Sequence, residues 1–159
     1  MKTNSVLGVH HVSSLDELRL LAEALSQELI AGDVVLLSGN LGAGKTTITQ
    51  FLGKALGVQA NITSPTYTLM GEYPVIGNDF ITTLIHMDLY RMGQSEKMLP
   101  SNSEYIQDVV GSASLNKGIV VIEWAENIGQ LPKKQYWNIT INKGKNYHSR
   151  TVTIDKNNI

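Results

Sequence analysis

Apolar residues recur at Leu15, Leu18, Leu21, Ala22, Leu25 and Leu29, the three- and four-residue spacing of one helix face. The pattern predicts a helix over residues 14–30, with Ser13 or Ser14 as N-cap and Gly32 near its end. It then changes to the uninterrupted run Val34-Val35-Leu36-Leu37, which predicts a buried strand over 33–38. A helix over 46–56 follows, closed by Gly57. Residues 64–73 read as extended chain entered through Ser64-Pro65, and 74–79, PVIGND, as a hairpin turn. Strands are expected over 81–88 and 119–123, with a weaker helix over 105–115. The chain closes differently: 136–142 and 149–155 alternate with period two around Lys143-Gly144-Lys145-Asn146, the mark of an antiparallel C-terminal β-hairpin. Alternating strands and helices with such an end predict an α/β domain with a mixed parallel/antiparallel sheet.

Composition narrows the setting. The 159 residues, 42% hydrophobic, suffice for one well-buried domain, taken as 1–159, and fall short of two of ordinary size. Without cysteine there is neither a disulfide framework nor a thiolate metal site, which fits a reducing compartment. The first residues lack the apolar stretch of a secretory signal, and no run approaches ~18 apolar residues. A cytoplasmic protein without a membrane segment is expected. Lys+Arg 13 against Asp+Glu 14 gives a net charge of -1, with no basic run, so tight autonomous binding to nucleic acid is not expected.

The candidate chemistry begins at Gly39, where GNLGAGKT matches G-x-x-x-x-G-K-[ST] between the predicted strand and helix. Strand, glycine-rich turn and helix in that order aim successive N–H groups and the positive end of a helix dipole at one point, which suits a polyphosphate. Gly39, Gly42 and Gly44 permit positive φ and close backbone approach. Lys45 supplies a mobile charge for the β- and γ-phosphates, and the Thr46 hydroxyl can ligate Mg²⁺. A glycine-rich turn without a ligand is the plain alternative. Asp88 and Glu123 each end an apolar strand, where a metal-holding or water-ordering carboxylate would sit beside such a loop. Read without that context, they are a turn residue and a solvated strand end.

In order along the chain, GNLGAGKTT, SPTYTL from Ser64, HMDLYR from His86 and EWAE from Glu123 resemble the TsaE (YjeE) family, small bacterial ATPases of tRNA threonylcarbamoyladenosine modification. The resemblance spans nearly the whole chain. It implies a P-loop NTPase-like three-layer fold, binding of ATP with Mg²⁺, and slow hydrolysis stimulated by TsaB–TsaD-type partners. Transferred residue by residue, Gly42, Ala43, Gly44, Lys45, Thr46 and Thr47 match the nucleotide loop, and Arg150 matches an arginine that approaches ATP. Ser64, Pro65 and Thr66 match a switch-like segment near the γ-phosphate. Thr46, Asp88 and Glu123 match the metal-associated oxygens, and Lys45, Thr66, Asp88 and Glu123 are the catalytic candidates. The first helix carries Leu18 and Ala22 where the family commonly has a polar residue and a glycine near the adenine. Two alternatives share the loop: a P-loop small-molecule kinase, and a nucleotide-dependent binding switch without significant turnover.

Overall fold

The computed structural model describes residues 5–65, 67–94 and 101–158. A seven-stranded sheet runs through the centre. Its strands are β1 (Gly8–Val12), β2 (Val34–Ser38), β3 (Met70–Pro74), β4 (Thr83–Asp88), β5 (Gly118–Glu123), β6 (Tyr136–Lys143) and β7 (Arg150–Asn157), and its helices α1 (Leu15–Glu28), α2 (Lys45–Leu56) and α3 (Ser101–Leu115). The spatial order is β1-β7-β6-β2-β5-β4-β3. Strands β6, β2, β5 and β4 are mutually parallel, whereas β3, β7 and β1 add antiparallel pairs at the two sides. The sheet is therefore mixed, as the pattern predicts.

Strand alternation splits the core in two. Val35 and Leu37 of β2, Val121 of β5 and Leu84 of β4 pack with Leu18 and Leu25 of α1 and with Ile48 and Leu52 of α2. The intervening Val34 and Leu36, Val120 and Ile122, and Ile85 and Met87 pack instead with Ile106 and Val110 of α3. Helices thus cover both faces of the parallel strands, which explains why β5 reads as an unbroken apolar run rather than an alternating one.

Local signals hold where expected. Ser14 caps α1, its hydroxyl accepting from the Glu17 N–H at 3.1 Å. Gly57 ends α2 in the left-handed region at φ 118. Asp33 is buried in front of β2, where one carboxylate oxygen accepts from the Ile30 N–H and from Trp137 Nε1, both at 3.0 Å. Two expectations change. Residues 67–69 form a turn rather than extended chain, with Leu69 at φ 69 and its N–H donating to Pro65 O at 2.7 Å, so β3 starts only at Met70. Strand β1 has no counterpart in the sequence-based prediction. It is held by pairing with β7, from Gly8 against Ile154 to Val12 against Arg150. Among the described residues no helix is long and apolar enough to cross a membrane.

Candidate functional site

The glycine-rich loop joins β2 to α2 at the end of the parallel strands. Gly39, Gly42 and Gly44 all have positive φ, at 152, 74 and 118. A Cβ on Gly39 would stand 2.4 Å from Ile141 O; only glycine lets the loop lie against β6. Gly44 occupies the N-cap of α2 and offers no side-chain cap. The first-turn N–H groups of that helix are thereby left to an anion, on which the helix dipole also acts. Ala43 departs from this arrangement: its side chain is in the core, and its N–H donates to Asn40 O at 3.0 Å.

Beside the loop lies a cleft of about 510 Å³ lined by Gly44, Lys45, Thr46, Thr47, Asp88 and Glu123 among others. The structure therefore brings Gly42, Gly44, Lys45, Thr46, Thr47, Ser64, Asp88 and Glu123 to one cleft, whereas Ala43 faces the core and Pro65 and Arg150 do not line it. Thr66 lies outside the described residues. Lys45 is only 4% exposed; its ammonium donates to Gly39 O and, at 3.1 Å, to Asn40 O, and it lies 3.9 Å from the Trp124 ring centroid. Burial pulls the Lys45 ammonium below its ordinary range, against the opposing pull of Glu123, Glu126 and Asp88. Trp124 itself takes a left-handed φ of 55, and Tyr90 packs on it with 4.9 Å between ring centroids.

The two acids are held by different neighbours. Sheet alternation puts Leu84, His86 and Asp88 of β4 on the same face as Ile119, Val121 and Glu123 of β5, the face covered by α2. Glu123, 2% exposed, accepts from the Thr46 hydroxyl at Oε2 (3.0 Å) and from His86 Nε2 at Oε1 (2.7 Å). Asp88, 3% exposed, accepts from the Ser64 hydroxyl at Oδ2 (2.7 Å) and from the Tyr90 N–H at Oδ1 (2.9 Å). The sequence alone gives His86 no task beyond its place in HMDLYR. The period-two rule applied to β4 was the signal that would have paired it with Asp88 on the cleft face.

Arg150 approaches from β7. Its Nε donates to Ala43 O at 2.7 Å, its Nη1 to Tyr147 O and Ser149 O at 2.8 Å each, and its Nη2 reaches Gly42 O at 3.4 Å. The guanidinium therefore holds the loop carbonyls. It also lines a second cavity of about 230 Å³, bordered by Gly42, Gly44 and Thr47 on the loop side and by Leu18 and His148 beyond. Leu18 is thus beside the loop, whereas Ala22 is fully buried in the core.

Among the described residues no group of at least three His, Cys, Asp or Glu could hold a metal ion alone. Thr46, Asp88 and Glu123 nevertheless present hard oxygen donors to one cleft. Such a partial set fits Mg²⁺, which keeps several waters and shares its coordination with substrate phosphates rather than sitting in an all-protein cage.

A seven-stranded α/β sandwich with this loop at the ends of its parallel strands is a P-loop NTPase-like domain. A family model described as threonylcarbamoyl adenosine biosynthesis protein TsaE matches residues 12–152. Curated tRNA threonylcarbamoyladenosine biosynthesis proteins TsaE are similar: that of Nostoc sp. is 40% identical over 76% of this chain and 68% of its own length. The Streptomyces coelicolor protein is 39% identical over 69% of this chain and 68% of its own. The crystal structure of Bacillus subtilis YdiB superposes with a TM-score of 0.64 at 27% identity, covering 92% of this chain and 82% of that one. The chain belongs to the TsaE family, whose members take part in threonylcarbamoyladenosine biosynthesis.

Proposed function

We propose that the chain binds ATP with Mg²⁺ in the cleft beside Gly39–Thr46 and hydrolyses it slowly, serving tRNA threonylcarbamoyladenosine modification together with a TsaB–TsaD-type complex. The observation that carries this reading is the contact of the Thr46 hydroxyl with Glu123 at 3.0 Å, directly after a loop whose lysine and helix amides converge on the same cleft. In such a site positioning and electrostatics do most of the work, because phosphoryl transfer asks for little covalent participation.

The residues divide the task. The first-turn amides of α2 meet the phosphate oxygens. Lys45 exchanges its bonds to Gly39 O and Asn40 O for phosphate oxygens, and Trp124 and Tyr90 wall one side of the cleft from water. Thr46, Asp88 and Glu123 would hold Mg²⁺, which when bound neutralises part of the charge on the phosphate oxygens. The second cavity, apolar at Leu18 and continuous with the loop at Gly42, Gly44 and Thr47, is the compartment that suits the nucleoside. Of the three arginines, Arg19 is paired with Asp16 and Glu23, Arg91 lies over the Tyr67 ring, and Arg150 is committed to backbone carbonyls. Turnover by the isolated chain should accordingly be slow, with the missing charge supplied by a partner.

The test is phosphate release by the chain alone, with a TsaB–TsaD-type complex, and with a panel of small phosphate acceptors. The reading expects slow basal release, acceleration by the complex, and no phosphorylated acceptor. Reciprocity adds a second expectation: if ATP tightens the complex, the complex tightens ATP by the same factor. A phosphorylated small acceptor would instead establish a kinase, and ATP binding with no release under any condition would establish a switch.

A further inference from the structure

We propose that His86 is a positioning residue that aims the carboxylate of Glu123 at Thr46 and the cleft, a role that rests on the Mg-ATP reading above. His86 is fully buried in β4. Its register partner on β5 is Val121, so Glu123 lies one pleat further along the same face, diagonally opposite. Across that diagonal Nε2 meets Glu123 Oε1 at 2.7 Å, and the second oxygen of the same carboxylate, Oε2, takes the Thr46 hydroxyl at 3.0 Å. One oxygen is thus anchored in the sheet while the other faces α2 and the phosphate loop. Held at Oε1 by His86 and at Oε2 by Thr46, the carboxylate is confined about a terminal torsion that is otherwise broad.

The other imidazole nitrogen strengthens the argument. Nδ1 of His86 is a buried side-chain atom with no hydrogen-bond partner, the only one of its kind among the described residues. Nε2 supplies the hydrogen of the bond to the carboxylate oxygen, and Nδ1 on the far side of the ring meets no protein group. A purely apolar residue of this volume would avoid that cost, and its same-face neighbours Leu84 on β4 and Val121 on β5 are fully buried hydrophobes. The position is therefore explained by the bond to Glu123 rather than by packing. This is the arrangement by which neighbours one shell out orient the groups that hold a metal.

His86→Leu keeps the volume without the donor, and His86→Gln restores an N–H of similar reach. Each is compared with the wild type in thermal unfolding, in ADP binding in EDTA, in Mg²⁺ dependence of ATP binding, and in kcat and KM for phosphate release. We expect His86→Leu to weaken the response to Mg²⁺ by about 10- to 100-fold, the range seen when such orienting partners are removed, with metal-free ADP affinity retained. His86→Gln should recover most of that loss. In the nucleotide-free wild type, nitrogen NMR of the imidazole should show a hydrogen-bonded Nε2–H, and Glu123→Ala should shift that signal. Wild-type-like Mg²⁺ response in His86→Leu overturns the proposal, as does a parallel fall of metal-free ADP affinity and thermal stability in both variants, which would mark a structural residue. A wild-type chain that does not bind Mg-ATP overturns the functional reading itself, and with it the role of His86, while leaving the NMR result intact.

Discussion

The Lys45 ammonium lies 3.9 Å from the centre of the Trp124 ring while donating to Gly39 O and Asn40 O of its own loop. The lysine is thus stored inside the loop it serves, and binding phosphate means exchanging these bonds. Lys45→Ala should leave a folded chain, since the lysine belongs to neither apolar core and a buried charge is removed. It should weaken ATP binding by about 10- to 150-fold, because a hydrogen bond to a charged group contributes about 1.5–3 kcal/mol. Calorimetry with ATP and Mg²⁺ measures this, and unchanged affinity would remove the loop from the nucleotide site.

The same lysine sets a pH dependence. Burial lowers its pKa in the free protein, so the folded chain carries an electrostatic penalty below that pKa which is relieved as pH rises through it toward the unfolded value. Phosphate favours the ammonium and raises the pKa again. Nucleotide binding should then take up protons on the alkaline side, and affinity should fall as pH rises through the depressed pKa. Binding heats compared in buffers of different ionisation enthalpy report the proton uptake; Lys45→Ala should abolish it.

Asp88→Asn and Glu123→Gln keep shape but lose the charge that attracts a hard cation. Both should depress Mg²⁺-dependent hydrolysis by at least about tenfold and leave ADP binding in EDTA close to wild type. An equal loss of metal-free binding would make these acids structural. Asp33 is the contrasting case, an acid far from the cleft that accepts from Trp137 Nε1 and the Ile30 N–H. Asp33→Ala should lower unfolding stability by about 1–3 kcal/mol, the cost of leaving buried donors unmet, without changing the Mg²⁺ response. Urea unfolding read alongside nucleotide binding separates the two effects.

These contrasts show what the sequence carried. The phosphate loop was legible because its glycines, lysine and threonine are contiguous, and its strand and helix announce themselves by period. Asp88 and Glu123 were legible as ends of apolar strands. The His86–Glu123 bond was not, because it spans 37 residues and depends on the parallel register of β4 and β5. Strand β1 escaped for a related reason: in GVHHV the apolar and polar residues do not follow the alternation of burial, Val9 being exposed and His10 half-buried, and its strand conformation comes from pairing with β7. The turn before β3 was masked by Ser64-Pro65, which favours extended chain locally but left Pro65 O to accept from Leu69.

Arg150 offers the sharpest separation between charge and shape. Its planar guanidinium reaches Ala43 O, Tyr147 O and Ser149 O and extends to Gly42 O, joining the β6–β7 turn to the phosphate loop from three nitrogens at once. A lysine carries the same charge on a single atom and cannot span carbonyls from two separate segments. If the guanidinium acts by holding the loop, Arg150→Lys should resemble Arg150→Ala, each losing about 1–2 kcal/mol of stability, as expected for hydrogen bonds to a charged group that is partly exposed. Both should also weaken nucleotide binding with or without Mg²⁺, since the loop amides lose their fixed direction. If Arg150 acts chiefly as a positive charge toward the nucleotide, Arg150→Lys should preserve most of the affinity and only Arg150→Ala should fail. Urea unfolding and ADP binding of the two variants decide between these outcomes, and a lysine variant indistinguishable from wild type would refute the clasp.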